Sequence, residues 1–181
     1  MKRISLDSVS AVLESDVVLK DGSSVHLRPI RPEDEHSLVE IFNHSSPQTV
    51  YQRFFTALPE LTPDMAHHLS NTNTANRLAL VAEADAEPIG VARYEPTDEP
   101  DLVELAIVVV DKWQNRGLGR ILVREILCAA ERNGIRRFRA DVLAENRRML
   151  RLLATEGRIL ERKTEAGVTS ILLSLRGTGT S

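Results

Sequence analysis

The sequence predicts a mixed α/β fold (α+β), with a central mixed, mostly antiparallel sheet flanked by helices. Three observations predict it. Residues 77–110 alternate apolar stretches with turn-forming residues, as a strand meander does. From residue 111 onward the pattern becomes helix, strand, helix and two strands. Between these halves, the apolar run LAIVVV leads through QNRGLG (114–119) into a long amphipathic stretch.

The elements follow in order. DVVLKDGSSVHLRPI (16–30) reads as two strands around an Asp21–Gly22 turn. PEDEHSLVEIFNH (32–44) is a helix with Pro in its first turn and acids at its positive end. SPQTVYQRFF and TPDMAHHLS each open on Ser/Thr–Pro, a capping pattern, and read as short helices. RLALVAEA, IGVARYEP and LVELAIVVV are the meander strands, with turns at 85–88 and 97–100. Residues 117–133 form a helix with Leu118, Ile121, Leu122 and Ile126 on one stripe, ended by Gly134. IRRFRADVL is a strand, ENRRMLRLLATEG a helix closed by Gly157, and residues 158–175 a last hairpin. The division expected is an N-terminal extension (1–16), one domain (17–175) and a flexible tail (176–181).

The chain has 181 residues, 42% of them hydrophobic and 27% charged, as expected of one globular domain. The longest apolar run, Leu105–Val110, is too short to cross a bilayer, and MKRISLDSVS lacks a signal-peptide core. A single cysteine, Cys128, forms no intrachain disulfide and suits a reducing cytoplasm. No membrane partner is expected.

Charge is segregated. Residues 112–163 hold 14 Lys/Arg against 6 Asp/Glu, whereas residues 1–111 hold 8 against 19. One reading is a basic region facing an anionic ligand; the other is a set of helices carrying solvated arginines. Only Trp113 and Phe138 interleave the basic stretch, so nucleic acid is not the expected partner.

QNRGLG carries the most chemistry. The first amides of a helix have no intrahelical acceptor and lie at its positive end. Gly117 and Gly119 remove side chains that would hold a ligand off this backbone, and Arg116 and Arg120 add charge. Such a nest takes an anion, most simply a diphosphate. Leu122 stands where a dinucleotide fingerprint needs a third small residue, and no Gly-Lys-Ser/Thr triplet is present.

Gln114, Gly117 and Gly119 meet the pattern Gln/Arg-x-x-Gly-x-Gly/Ala, and LVELAIVVVDKWQNRGLGRILVREILCAAERNGIRRFRADVLAENRRMLRLLATEGR resembles the acetyl-CoA-binding core of the GNAT family of N-acetyltransferases. LRPIRPEDEHSLVEIFNHSSPQTVYQRFF is similar, more narrowly, to the catalytic domain of bacterial Pat-type protein lysine acetyltransferases. The resemblance implies that acetyl-CoA is the acyl donor and that no metal is needed. Its pyrophosphate would lie on amides of Gln114, Asn115, Arg116, Gly117, Leu118, Gly119 and Arg120. The pantetheine arm would run beside backbone groups near Val108 and Val109, with Asn146 further along.

An acceptor amine must lose a proton, and a carboxylate is the natural base. Glu104, in an otherwise apolar strand, is the candidate, matching a glutamate that members of the resembled family often carry there. The alternatives are a solvated strand start or a pair with Arg93. Leu153 stands where many members have an acidic tyrosine; Tyr51 and Tyr94 are the tyrosines that remain to reach a cleft. Arg53 either helps to place an acceptor or pairs with Glu60. Adjacent His67 and His68 point to different helix faces and make poor metal partners, and Cys128 is better placed as core than as nucleophile. The expected function is direct acetyl transfer to a lysine-bearing protein. Transfer to a small amine or polyamine and a non-catalytic acetyl-CoA sensor are the alternatives. The sequence is compatible with a homo-oligomer.

Overall fold

The computed structural model describes residues 13–72 and 76–175. Its eight strands are β1 (Ser15–Val18), β2 (Ser24–Pro29), β3 (Leu78–Ala84), β4 (Glu87–Pro96), β5 (Leu102–Val109), β6 (Arg137–Leu143), β7 (Gly157–Glu165) and β8 (Val168–Leu175). The helices are α1 (Glu35–Asn43), α2 (Pro47–Phe54), α3 (Pro63–Ser70), α4 (Leu118–Arg132) and α5 (Arg147–Glu156). The strands form one sheet in the order β1-β2-β3-β4-β5-β6-β8-β7. Every neighbouring pair is antiparallel except β5 with β6, which is parallel. Mixed topology follows from α4, the one crossover between adjacent parallel strands.

Local chemistry sets the helix ends. Ser46 caps α2 by accepting from the Thr49 N–H at 3.3 Å, and Thr62 caps α3 by accepting from the Met65 N–H at 3.3 Å, each followed by Pro at the first position. The α4 stripe buries Leu118, Leu122, Val123, Ile126 and Leu127 against β3, β4 and β5. Tyr94, Phe138, Leu80 and Leu153 complete the core.

Gly157 closes α5 as its C-cap, in extended backbone, and opens β7. A Cβ there would stand 2.5 Å from Leu173 Cδ1 and 3.2 Å from the Ser174 carbonyl, so close approach to β8 is what requires glycine. The N-terminal extension lies outside the described residues up to 12, but Leu13 is already buried and β1 begins at Ser15. The expected tail, 176–181, lies wholly outside them.

A buried charge network joins the sheet to α1. Arg28 meets Asp34 through Nη1 to Oδ2 at 2.7 Å and Nη2 to Oδ1 at 2.8 Å, and also meets Glu83. The Arg31 N–H adds a third bond to Asp34, at 2.6 Å. Burial alone would raise the Asp34 carboxyl, but the Arg28 and Arg31 contacts outweigh it and lower the pKa. A depressed carboxyl contributes stability above its unfolded value of about 3.9, lost as pH falls through the folded value. Asp34→Asn leaves Arg28 without its bidentate partner and is expected to cost about 3 kcal/mol in urea unfolding at pH 7. The deficit relative to wild type should shrink as pH drops below 4. A deficit independent of pH would mean that packing, not the ion pair, holds this corner.

Candidate active site

β5 pairs with β4 from Val103 to Val109 but with β6 only from Leu102 to Glu104. Beyond Glu104–Arg139 the two strands part. The opening forms a cleft of about 390 Å³, walled by β5 residues 104–109, β6 residues Ala140–Val142, α2 and the start of α5.

Hydrogen-bond parity fixes which backbone groups face this cleft. The Val110 N–H bonds the Ile89 carbonyl, and Val108 O lies 3.0 Å from where a Gly90 Cβ would stand, so residues 108 and 110 turn to β4. Alternation then turns Leu105, Ile107 and Val109 away from β4 and towards the opening. Of the two valines expected here, Val109 presents backbone to the cleft side, whereas Val108 contributes its side chain to the lining. Gln114 Nε2 takes the Val109 carbonyl at 3.0 Å.

At the end of β5 the chain makes a short 3-10 turn, Asp111–Trp113, and enters the glycine turn. Asn115 (φ 63°) and Gly117 (φ 98°) are left-handed, the latter as the N-cap of α4. The N–H groups of Gln114 and Arg120 are used internally, on Asp111 and Gly117 carbonyls at 3.2 and 3.1 Å. Those of Asn115, Arg116, Gly117, Leu118 and Gly119 meet no backbone acceptor among the described residues. Five amides are therefore uncommitted at the positive end of a 15-residue helix. Arg116 stacks on Trp113 at 4.7 Å and pairs with Asp21 at 3.2 Å. Arg120 is bound to Glu156 beside Arg124, so its charge is shared with α5.

Asp111 ties α2 to this end of the sheet. It accepts from Ser46 N–H at 2.7 Å, Ser46 Oγ at 2.8 Å and Thr49 Oγ1 at 3.1 Å. Gln114 joins the same knot through Thr49 at 3.1 Å and Arg148 at 3.2 Å. Asn146 lines the opposite wall and caps α5 through Oδ1 to the Met149 N–H at 3.1 Å. Its side-chain NH2 donates to nothing among the described residues.

Glu104 lies at the fork itself, exposed and lining the cleft. It does not pair with Arg93, which instead bonds Glu95 at 3.0 Å and the Leu69 carbonyl at 3.0 Å. No cation stands within ion-pair distance of Glu104 among the described residues. Arg53, in the last turn of α2, lines the same end of the cleft and does not pair with Glu60.

Other candidates fall elsewhere. Tyr94 is fully buried, with its hydroxyl accepting from Asn133 Nδ2 at 2.7 Å, so it does not reach the cleft. Tyr51 is exposed on α2 and outside the cleft lining. Leu153 is core. His67 meets Glu35, and His68 meets Arg77. No group of three metal-ligating side chains occurs among the described residues. Asp111 and Thr49 escaped sequence reasoning because 62 residues separate them. The only local clue was the Ser-Pro cap.

The edge of β5 beyond Glu104, the five uncommitted amides and the Asn146 NH2 are the groups that could hold the pantetheine and diphosphate of coenzyme A. A Cβ on Gly119 would touch only Leu152 Cδ2, at 3.7 Å, whereas any side chain on Gly117 is strained at its positive φ. Gly117→Val should therefore turn the nest amides and raise the acetyl-CoA Kd at least about tenfold with the fold retained, a loss of about 1.4 kcal/mol in binding. Unaltered affinity by calorimetry would contradict this placement.

Residues 36–156 match the acetyltransferase (GNAT) family. The chain is 30% identical over 169 residues to acetyltransferase PA5475 of Pseudomonas aeruginosa, spanning 90% of this chain and 91% of that one. It is 27% identical over 150 residues to acetyltransferase Pat of Mycolicibacterium smegmatis, covering 81% of this chain but 45% of the longer protein. Among solved structures, the GNAT domain of S. lividans PAT superposes with a TM-score of 0.84 at 33% identity, covering 91% of this chain and 98% of that domain. A Salmonella typhimurium acetyltransferase, yncA, solved with its cofactor acetyl-CoA, shares the fold at a TM-score of 0.67 and 18% identity, over 87% and 96% of the two chains. The chain belongs to the GNAT family of acetyltransferases, whose acetyl donor is acetyl-CoA.

Proposed function

We propose that this acetyltransferase moves the acetyl group of acetyl-CoA directly onto lysine side chains of proteins, with Glu104 as general base. The observation that carries the reading is the position of Glu104: an unpaired, exposed carboxylate at the fork where β5 and β6 separate. A lysine ammonium has an ordinary pKa of about 10.4 and must be deprotonated before attack. A carboxylate beside it, directly or through one water, takes that proton.

The rest of the cleft supports the same division of labour. Asn115–Gly119 amides hold the diphosphate, the outward edge at Ile107 and Val109 aligns the pantetheine, and Asn146 donates to it from the other wall. Leaving of the thiolate needs no protein acid, since a thiol of pKa about 8.5 departs readily; the buried Leu153 fits that economy. Direct transfer is supported by Cys128, which is absent from the cleft lining and whose thiol burial pushes up, away from the reactive thiolate. The protein acceptor is supported by similarity to the Pat proteins and by the acidic balance of residues 1–111.

Glu104→Gln should keep acetyl-CoA affinity and lower turnover by roughly 10²-fold; undiminished turnover would remove Glu104 from the mechanism. Labelled acetyl-CoA incubated with enzyme and lysate, then separated by size, should leave label on protein. Label confined to small molecules would reject the protein acceptor.

A further inference from the structure

Arg53 is a cation in the cleft that no carboxylate among the described residues neutralises by contact. It lies in the last turn of α2, half-buried, with its Cζ 4.9 Å from the Phe54 ring. Its stem borders a small apolar chamber of about 30 Å³ walled by Leu38, Phe42, Val50, Phe54, Val91 and Val108. No carboxylate lies within 4.0 Å of it among the described residues. Glu95, on the strand beside it, is already held by Arg77 and Arg93 at 3.0 Å each. Burial and the charge of Arg93 push the Arg53 guanidinium down to about 10, partly countered by Glu104 and Glu95, and it stays charged at neutral pH. A charge in such surroundings is costly without a counter-ion.

The donor does not supply one. The diphosphate cradle begins beyond Val109, five residues of extended strand from Glu104, or about 17 Å, and the pantetheine and thioester alongside those residues are uncharged. The acceptor side is what remains. Phe55 follows Arg53 in the left-handed conformation (φ 57°), 36% exposed, and lines the same cleft mouth. A bulky residue is rarely held there, and here it sets an aromatic surface beside the cation.

We propose that Arg53 is an anion subsite for the acceptor: it receives an acidic side chain adjacent to, or two residues from, the lysine whose amine meets Glu104. In an extended segment, residues two apart project to the same side. The lysine then enters the cleft along Phe55 while the acid reaches Arg53 at the mouth. This inference rests on the protein-lysine reading.

The test measures kcat/KM for lysine peptides carrying Glu, Gln or Lys at the neighbouring and next-but-one positions, in wild type, Arg53→Gln and Arg53→Glu. Wild type is expected to favour the Glu peptide over its Gln isostere by about tenfold, falling as salt rises. Arg53→Gln should bring that ratio near one, and Arg53→Glu should reverse it in favour of the Lys-flanked peptide, a swap that a merely structural arginine would not produce. Should Arg53→Glu fail to fold, the wild-type ratio, its salt dependence and the Arg53→Gln ratio decide alone. Equal rates for Glu and Gln peptides in wild type, or a preference that survives Arg53→Gln, overturn the subsite while leaving the lysine acceptor standing. Failure to acetylate any lysine peptide, with small amines accepted, overturns both.

Discussion

Backbone N–H and C=O groups inside a folded protein need partners, and a sheet that splits in its middle leaves a row of them without any. β5 has β4 along one edge from Val103 to Val109, but loses β6 after Glu104. Ile107 and Val109 consequently offer main-chain groups to a cleft instead of a strand. Water can satisfy them in the free protein; a ligand with an extended amide-bearing arm does so with more order. The carboxylate, the glycine turn and the α2 wall all acquire their significance from that fork.

Keeping the fork open is a task shared by distant parts of the chain. Asp111 gathers Ser46 and Thr49, so the start of α2 is fixed to the end of β5. Burial would raise this carboxyl, but the three Ser46 and Thr49 hydrogen bonds lower it, keeping it an acceptor at neutral pH. Gln114 couples Val109, Thr49 and Arg148, spanning both walls of the cleft with one side chain. The Gln114 side chain thus makes internal contacts, while the five N–H groups after it meet no backbone acceptor among the described residues.

Helices and turns were legible because local rules decide them. Ser46–Pro47 and Thr62–Pro63 announce two helix starts, Asp21–Gly22 a hairpin, and the LAIVVV run a strand, though residues 106–109 are half-buried where they border the cleft. Side-chain partners were less so. The basic excess of 112–163 overstates the field at the ligand, since Arg120 and Arg124 share Glu156, while Arg137 and Arg139 share Glu99. Tyr94 looked available and is sealed under Asn133, because strand parity turns it to the α4 side. Gly157 is the helix stop it read as, but the reason it must be glycine, close packing on β8, was not visible. Each discrepancy involves contacts far apart in sequence, which no local pattern encodes.

Residue-resolved amide exchange, followed by NMR with and without coenzyme A, addresses the fork most directly. The account predicts new protection at the N–H groups of Ile107, Val109 and Asn115–Gly119, with residues 108 and 110 already slow in the free protein. Protection appearing on another face of the sheet, with these amides still exchanging freely, would contradict it.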